Sequence, residues 1–69
     1  MTAKEMFEKL GFNYKKYNMG FAYEKDDGNH QKFVHFDVNN SKYCTNVYHV
    51  DVELHNAITM QMKESGWIE

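Results

Sequence analysis

The chain contains no arginine, no proline and only one cysteine, Cys44. Each absence narrows what the protein can be. Without the arginine fork, bidentate recognition of guanine, phosphate or carboxylate loses its usual donor. Eight lysines are interspersed with ten acidic residues to a formal charge of −2, so the chain lacks the clustered basic surface whose counterion release drives phosphate binding. The same charge is too small for an acidic mimic of DNA. A lone thiol cannot close a disulfide within the chain, which suits a reducing, cytoplasmic setting. The lack of proline is compatible with unbroken strand ladders. No apolar run approaches the roughly 18 residues of a membrane-spanning helix, and Met1 to Leu10 lacks the apolar centre of a signal peptide. A cytoplasmic protein without membrane contact is the expectation.

What the chain has in quantity is aromatic side chains: five Phe, five Tyr and Trp67. They matter because 69 residues make one small domain, residues 1–69. A domain of this size buries only roughly 60% of the surface of its unfolded chain, and its core supplies about 3–5 kcal/mol. With no disulfide to help, the available supports are dense aromatic packing and oligomerisation.

Two segments carry helical periodicity. Thr2-Ala3-Lys4-Glu5 has the form of a capping box, and Ala3, Met6, Phe7 and Leu10 then recur at helical spacing on one stripe. Gly11 predicts a left-handed helix end, with Phe12 folding back on Phe7. The second helix is predicted over Val52–Ser65, capped by Asp51 and started by Glu53, with Leu54, Ala57, Ile58, Gln61, Met62 and Ser65 inward. Ser65-Gly66-Trp67 repeats the helix-ending triplet, so Trp67 should return onto Met62.

Between the helices the period changes to two. Met19, Phe21 and Tyr23 alternate with smaller or polar neighbours, Gln31 to Val38 follows, and Tyr43 to His49 makes a third strand. Asp26-Asp27-Gly28-Asn29 and Asn39-Asn40-Ser41-Lys42 read as the turns. Asn13–Asn18 has no clear period and reads as a connection or a ragged strand. Turn centres at Asp27-Gly28 and Asn40-Ser41 would set Phe21 opposite Val34, Met19 opposite Phe36, and Val34 opposite Val47 on the core face. The expected fold class is α+β, an α-β-β-β-α order with a three-stranded antiparallel meander and both helices packed on one face.

The capped start Thr2 to Phe12, ending Leu-Gly-aromatic, and the close Ala57 to Ile68, ending Lys-Glu-Ser-Gly-Trp-Ile, resemble small uncharacterised proteins of phages and prophages in low-GC Gram-positive bacteria. The Lys-, Asn-, Tyr- and Phe-rich composition without Arg or Pro fits an AT-rich genome. The resemblance covers the two termini only. It implies an accessory gene product acting in a host cell and transfers no functional residue.

On the face away from the core the same register sets Phe33 opposite Tyr48, with His35, Asp37 and Asn46 around them. Large aromatics on a solvated face mark a contact patch. These five residues are the candidate interaction surface, for a second copy of the chain or for a host protein. Four histidines, His30, His35, His49 and His55, show none of the paired spacings of zinc sites. Cys44 and His35 lie off register with one another in this reading, so no thiolate–imidazole pair is expected. No catalytic residue, metal or cofactor is therefore assigned. The function that follows is a non-enzymatic, phage-type protein that binds a host protein, such as an antiviral-defence component, and inhibits it by occlusion. The alternative is a nucleic-acid-binding accessory or regulator using Lys15, Lys16, Lys25, Lys32 and Lys42, with Tyr14 and Tyr17 as stacking rings. The acidic balance weighs against nucleic acid.

Overall fold

A computed structural model describes residues 1–69, in the order α1 (Ala3–Lys9), β1 (Asn13–Tyr17), β2 (Gly20–Asp27), β3 (His30–Asp37), β4 (Lys42–Thr45) and α2 (Val52–Glu64). The fold is α+β. Its sheet has four antiparallel strands in the order β1-β2-β3-β4, not the expected three. The extra strand is Asn13–Tyr17, which pairs along its whole length with Gly20–Glu24. All five of its residues are exposed, and an edge strand with no buried side leaves no period-two signature in the sequence.

Both helix ends form as their residues dictate. Thr2 Oγ1 accepts from Glu5 N at 3.2 Å and Glu5 Oε1 accepts from Thr2 N at 2.8 Å, completing the capping box. At the other end of α1, Gly11 N donates to Glu8 O and Phe12 N to Phe7 O, the Schellman pair. Lys25 Nζ donates to Leu10 O at 3.0 Å, so a strand lysine closes the negative end of the helix. Helix α2 starts on Asp51, whose Oδ1 accepts from Leu54 N, and ends with Trp67 N donating to Met62 O. A further hydrogen bond, Ala3 N to Glu64 Oε2 at 2.8 Å, ties the start of α1 to the end of α2. Neither helix is long and apolar enough to cross a membrane.

The turns sit one residue away from their expected centres. Asp27 pairs with His30 around Gly28-Asn29, and Asp37 pairs with Lys42, so Phe21 faces Phe36, Tyr23 faces Val34, and Val34 faces Thr45. Gly28 is the first central residue of its two-residue turn and takes φ +72, the position at which a II′ turn demands glycine. In the second turn Asp37 decides the geometry: its carboxylate accepts from Asn39 N, Asn40 N and Asn40 Nδ2. The positive φ then falls on Ser41, not on an asparagine. Moving a turn centre by one residue shifts the pairing by two, which preserves the side each residue faces.

The core therefore lies on the expected face. Phe7, Phe12, Tyr23, Val34, Phe36, Leu54, Ala57 and Ile58 form one buried cluster, so both helices cover the same side of the sheet. Phe36 is its centre, with the rings of Phe7, Phe21, Tyr23, Tyr43 and Trp67 all around it. Trp67 thus packs on the sheet as well as ending α2. One polar chain enters the core: Tyr23 Oη donates to Gln61 Oε1 at 2.6 Å, and Gln61 Nε2 donates to Ser65 Oγ at 3.1 Å. No buried side-chain polar atom lacks a partner.

Candidate functional site

The second face of the sheet carries no helix. Strand alternation brings Lys15 and Tyr17 of β1, Gly20, Ala22 and Glu24 of β2, Phe33, His35 and Asp37 of β3, and Lys42 and Cys44 of β4 onto it. Ala22 is only 2% exposed although nothing from another layer lies above it. Neighbouring strands supply the cover: the Tyr17 and His35 rings stand 6.0 Å apart on either side of β2. Tyr17 Oη donates to a carboxylate oxygen of Glu24, which fixes the ring across that strand. This hydrogen bond to an anion raises the Tyr17 phenol above its ordinary value, with desolvation adding to the effect. The floor of the face is thus small residues and its walls are rings.

Glycine is obligatory in that floor. A Cβ at Gly20, whose φ is +153, would lie 2.0 Å from the Phe36 carbonyl oxygen. The β2 backbone passes β3 too closely there for any side chain.

Of the five residues expected to form the contact surface, the structure brings three together and separates two. Phe33, His35 and Asp37 alternate along β3 on the open face. Phe33 and His35 are half-buried. Asp37 is committed to the β3–β4 turn, chiefly through the Asn40 side chain, and these hydrogen bonds hold its carboxyl below the usual value. Asn46 and Tyr48 were expected within a strand from Tyr43 to His49, but β4 stops at Thr45. Side chains take over the ladder at that point. Phe33 N donates to Asn46 Oδ1 at 2.8 Å, Asn46 Nδ2 donates to Gln31 O at 2.7 Å, and Thr45 Oγ1 donates to Phe33 O at 2.7 Å. With β3 satisfied by side chains, the main chain is free to turn toward α2. Asn46 is consequently a structural clamp, and Phe33 faces Glu24 on one side and this clamp on the other.

Tyr48 ends up on the loop after the clamp, 91% exposed, with its ring 4.7 Å from that of His49. It lines a groove of about 430 Å³ together with Gln31, Asn46 and the end of the β2–β3 hairpin. This loop borders the open face beyond Phe33 and does not pair with it. Tyr17 is the open-face ring that periodicity missed, because the fully exposed strand Asn13–Tyr17 carries no alternation.

Cys44 lies directly opposite His35, not two positions away, because the β3–β4 turn is centred one residue earlier. Beside them, Asp37 is spent on its turn, and the depression shared by His35, Asp37, Lys42, Tyr43 and Cys44 is open. A nucleophile needs a base that is itself oriented by a third group, and the one carboxylate nearby is already engaged. No three His, Cys, Asp or Glu side chains come together around a common point. The lysines considered for nucleic acid do not form one cluster, although Lys25 and Lys32 are cross-strand partners. Lys15 and Lys16 point to opposite faces, as do Tyr14 and Tyr17. Lys25 caps α1, and Lys32 pairs with Asp27 at 3.2 Å.

Compared with known family models, with curated proteins and with solved structures, the chain matches none.

Proposed function

We propose that this chain is a non-catalytic interaction protein that binds another protein through the open face of its sheet and inhibits it by occlusion. The observation that carries the reading is the composition of that uncovered face. Tyr17, Phe33 and His35 surround the small residues Gly20 and Ala22, while Lys15, Glu24, Asp37 and Lys42 stand at the perimeter. An apolar, aromatic centre within a mixed-charge rim is the anatomy of a protein-contact surface. Tyr48, almost fully solvent-exposed at the border, is the kind of ring that anchors such contacts. The charges on the face, Lys15 and Lys42 against Glu24, Asp26 and Asp37, are mixed with a slight acidic excess, which favours a protein partner over a polyanion. Following the resemblance of the termini, the partner is a host protein met in the host cytoplasm, of the class that includes antiviral-defence components.

The test compares capture by the tagged chain with capture by the double variant Phe33→Ser and Tyr48→Ser. Both side chains lie outside the core cluster, so circular dichroism should report an intact fold. A partner protein retained by the wild type and lost from the variant, and inhibited in its own assay by added wild-type chain, is the expected result. Equal retention by both chains overturns the reading. So does capture dominated by nucleic acid and abolished by moderate salt.

A further inference from the structure

Strands β1 and β4 end the sheet on its two sides, and an exposed strand edge is a template for another strand. Which backbone groups are free follows from the ladder. Phe33 N donates to Asn46 and Phe33 O accepts from Thr45, so Phe33 turns its main-chain groups toward β4, and His35, two residues on, does the same. His35 and Cys44 are then a hydrogen-bonded pair, and Tyr43 and Thr45 turn their N–H and C=O groups away from the sheet. On β1 the tight turn closes on Tyr17 and Gly20, so Tyr14 and Lys16 are the outward-facing residues.

We propose that a second copy of this chain occupies the β4 edge. The two β4 strands run antiparallel with Cys44 at the two-fold axis, and the two sheets become one of twice the width. This centring pairs Tyr43 with the partner's Thr45 and Thr45 with the partner's Tyr43, so every outward backbone group of the strand is used. A shift one way recruits Ser41, whose φ of 53 is not extended. A shift the other way recruits Val47, which lies beyond the strand.

Charge selects this edge over β1. The equivalent self-pairing of β1 is centred on Lys15 and sets that ammonium opposite its own copy, which is destabilising. Lysine is a common guard of strand edges. The centre of β4 is uncharged and exposed at Cys44, and Lys42 falls opposite the partner's Asn46. A contact between β1 of one copy and β4 of another would be heterologous and would propagate, whereas β4 on β4 closes after two copies. Tyr43, 43% exposed beside the core ring Phe36, lies at the joint. Its burial adds to what so short a chain otherwise lacks.

Cys44 reports directly on this geometry, because the two thiols would occupy a non-hydrogen-bonded pair with Cα atoms about 4.5 Å apart, within disulfide reach. Light scattering of the full chain at rising concentration should show a dimer. Diamide, which takes up the two thiol hydrogens as the S–S bond forms, should make it covalent. Cys44→Lys substitutes an exposed position and sets two ammonium groups face to face, which should raise the dimer Kd by about fivefold. A chain that stays monomeric at every concentration overturns the proposal. So does a dimer unaffected by Cys44→Lys, or one whose Cys44 thiols diamide fails to join. None of these failures touches the occlusion reading, which needs only the open face.

Discussion

Phe7 and Tyr23 lie face to face, with ring centroids 3.9 Å apart and planes inclined by 7°. The stack joins a helix of barely two turns to the middle of the sheet, and Tyr23 then passes the connection on by donating to Gln61 of α2. A helix as short as α1 cannot persist by itself. Its stability is borrowed through this stack, through Phe12 at 5.8 Å from Phe7, and through the Ala3–Glu64 hydrogen bond.

Alkaline pH should act through Tyr23. Its burial, reinforced by Glu64, raises the phenol from 10.0 to about 12. The folded state then keeps a proton that the unfolded state releases, so this contribution is complete below about pH 10 and is lost as pH climbs toward about 12. Tyr23→Phe should lower stability at neutral pH by about 1–3 kcal/mol, because Gln61 Oε1 loses its buried donor. The variant should also show a shallower alkaline decline than wild type, measured by denaturant midpoints at successive pH values.

Phe36→Ala should remove the centre of the ring cluster. The loss of about 3–5 kcal/mol expected for a buried phenylalanine equals the whole stability of a core this size. The amide spectrum of the variant at room temperature should collapse to the narrow dispersion of an unfolded chain.

At Gly20 a single added methyl should be costly for a steric reason. The obstruction is the Phe36 carbonyl at 2.0 Å, a backbone atom that cannot rotate aside. Gly20→Ala should destabilise by at least about 1–3 kcal/mol, and the denaturant midpoint measures it.

Asn46 should prove to be a clamp. Asn46→Ala leaves Phe33 N and Gln31 O without their side-chain partners and should cost about 1–2 kcal/mol. Hydrogen exchange gives the sharper readout: the Phe33 amide, protected in wild type, should exchange faster in the variant while the Phe36 amide keeps its protection.

Much of this architecture was legible because its causes are local. The capping box at Thr2 and Glu5, the Asp51 cap, and the Schellman endings at Gly11 and Gly66 are each decided within about six residues of chain, and all form as read. The identity of the core face was also legible, because it depends only on residue parity. Phe21, Tyr23, Val34 and Phe36 stay on one side even though both turns are centred one residue from expectation.

What the sequence determined by itself, then, was the helix ends, the α+β class and the side of the sheet that becomes core. Tertiary structure alone decided the pairing of Asn13–Tyr17, the end of β4 at Thr45 and the neighbours of each residue on the open face. An edge strand takes its order from the partner it bonds to, so Tyr14-Lys15-Lys16-Tyr17 has no pattern until β2 lies beside it. The separation of Phe33 from Tyr48 has a similar origin. Thr45 and Asn46 satisfy β3 with side chains in place of backbone, a choice between two equivalent sets of hydrogen bonds that alternation along one strand does not encode.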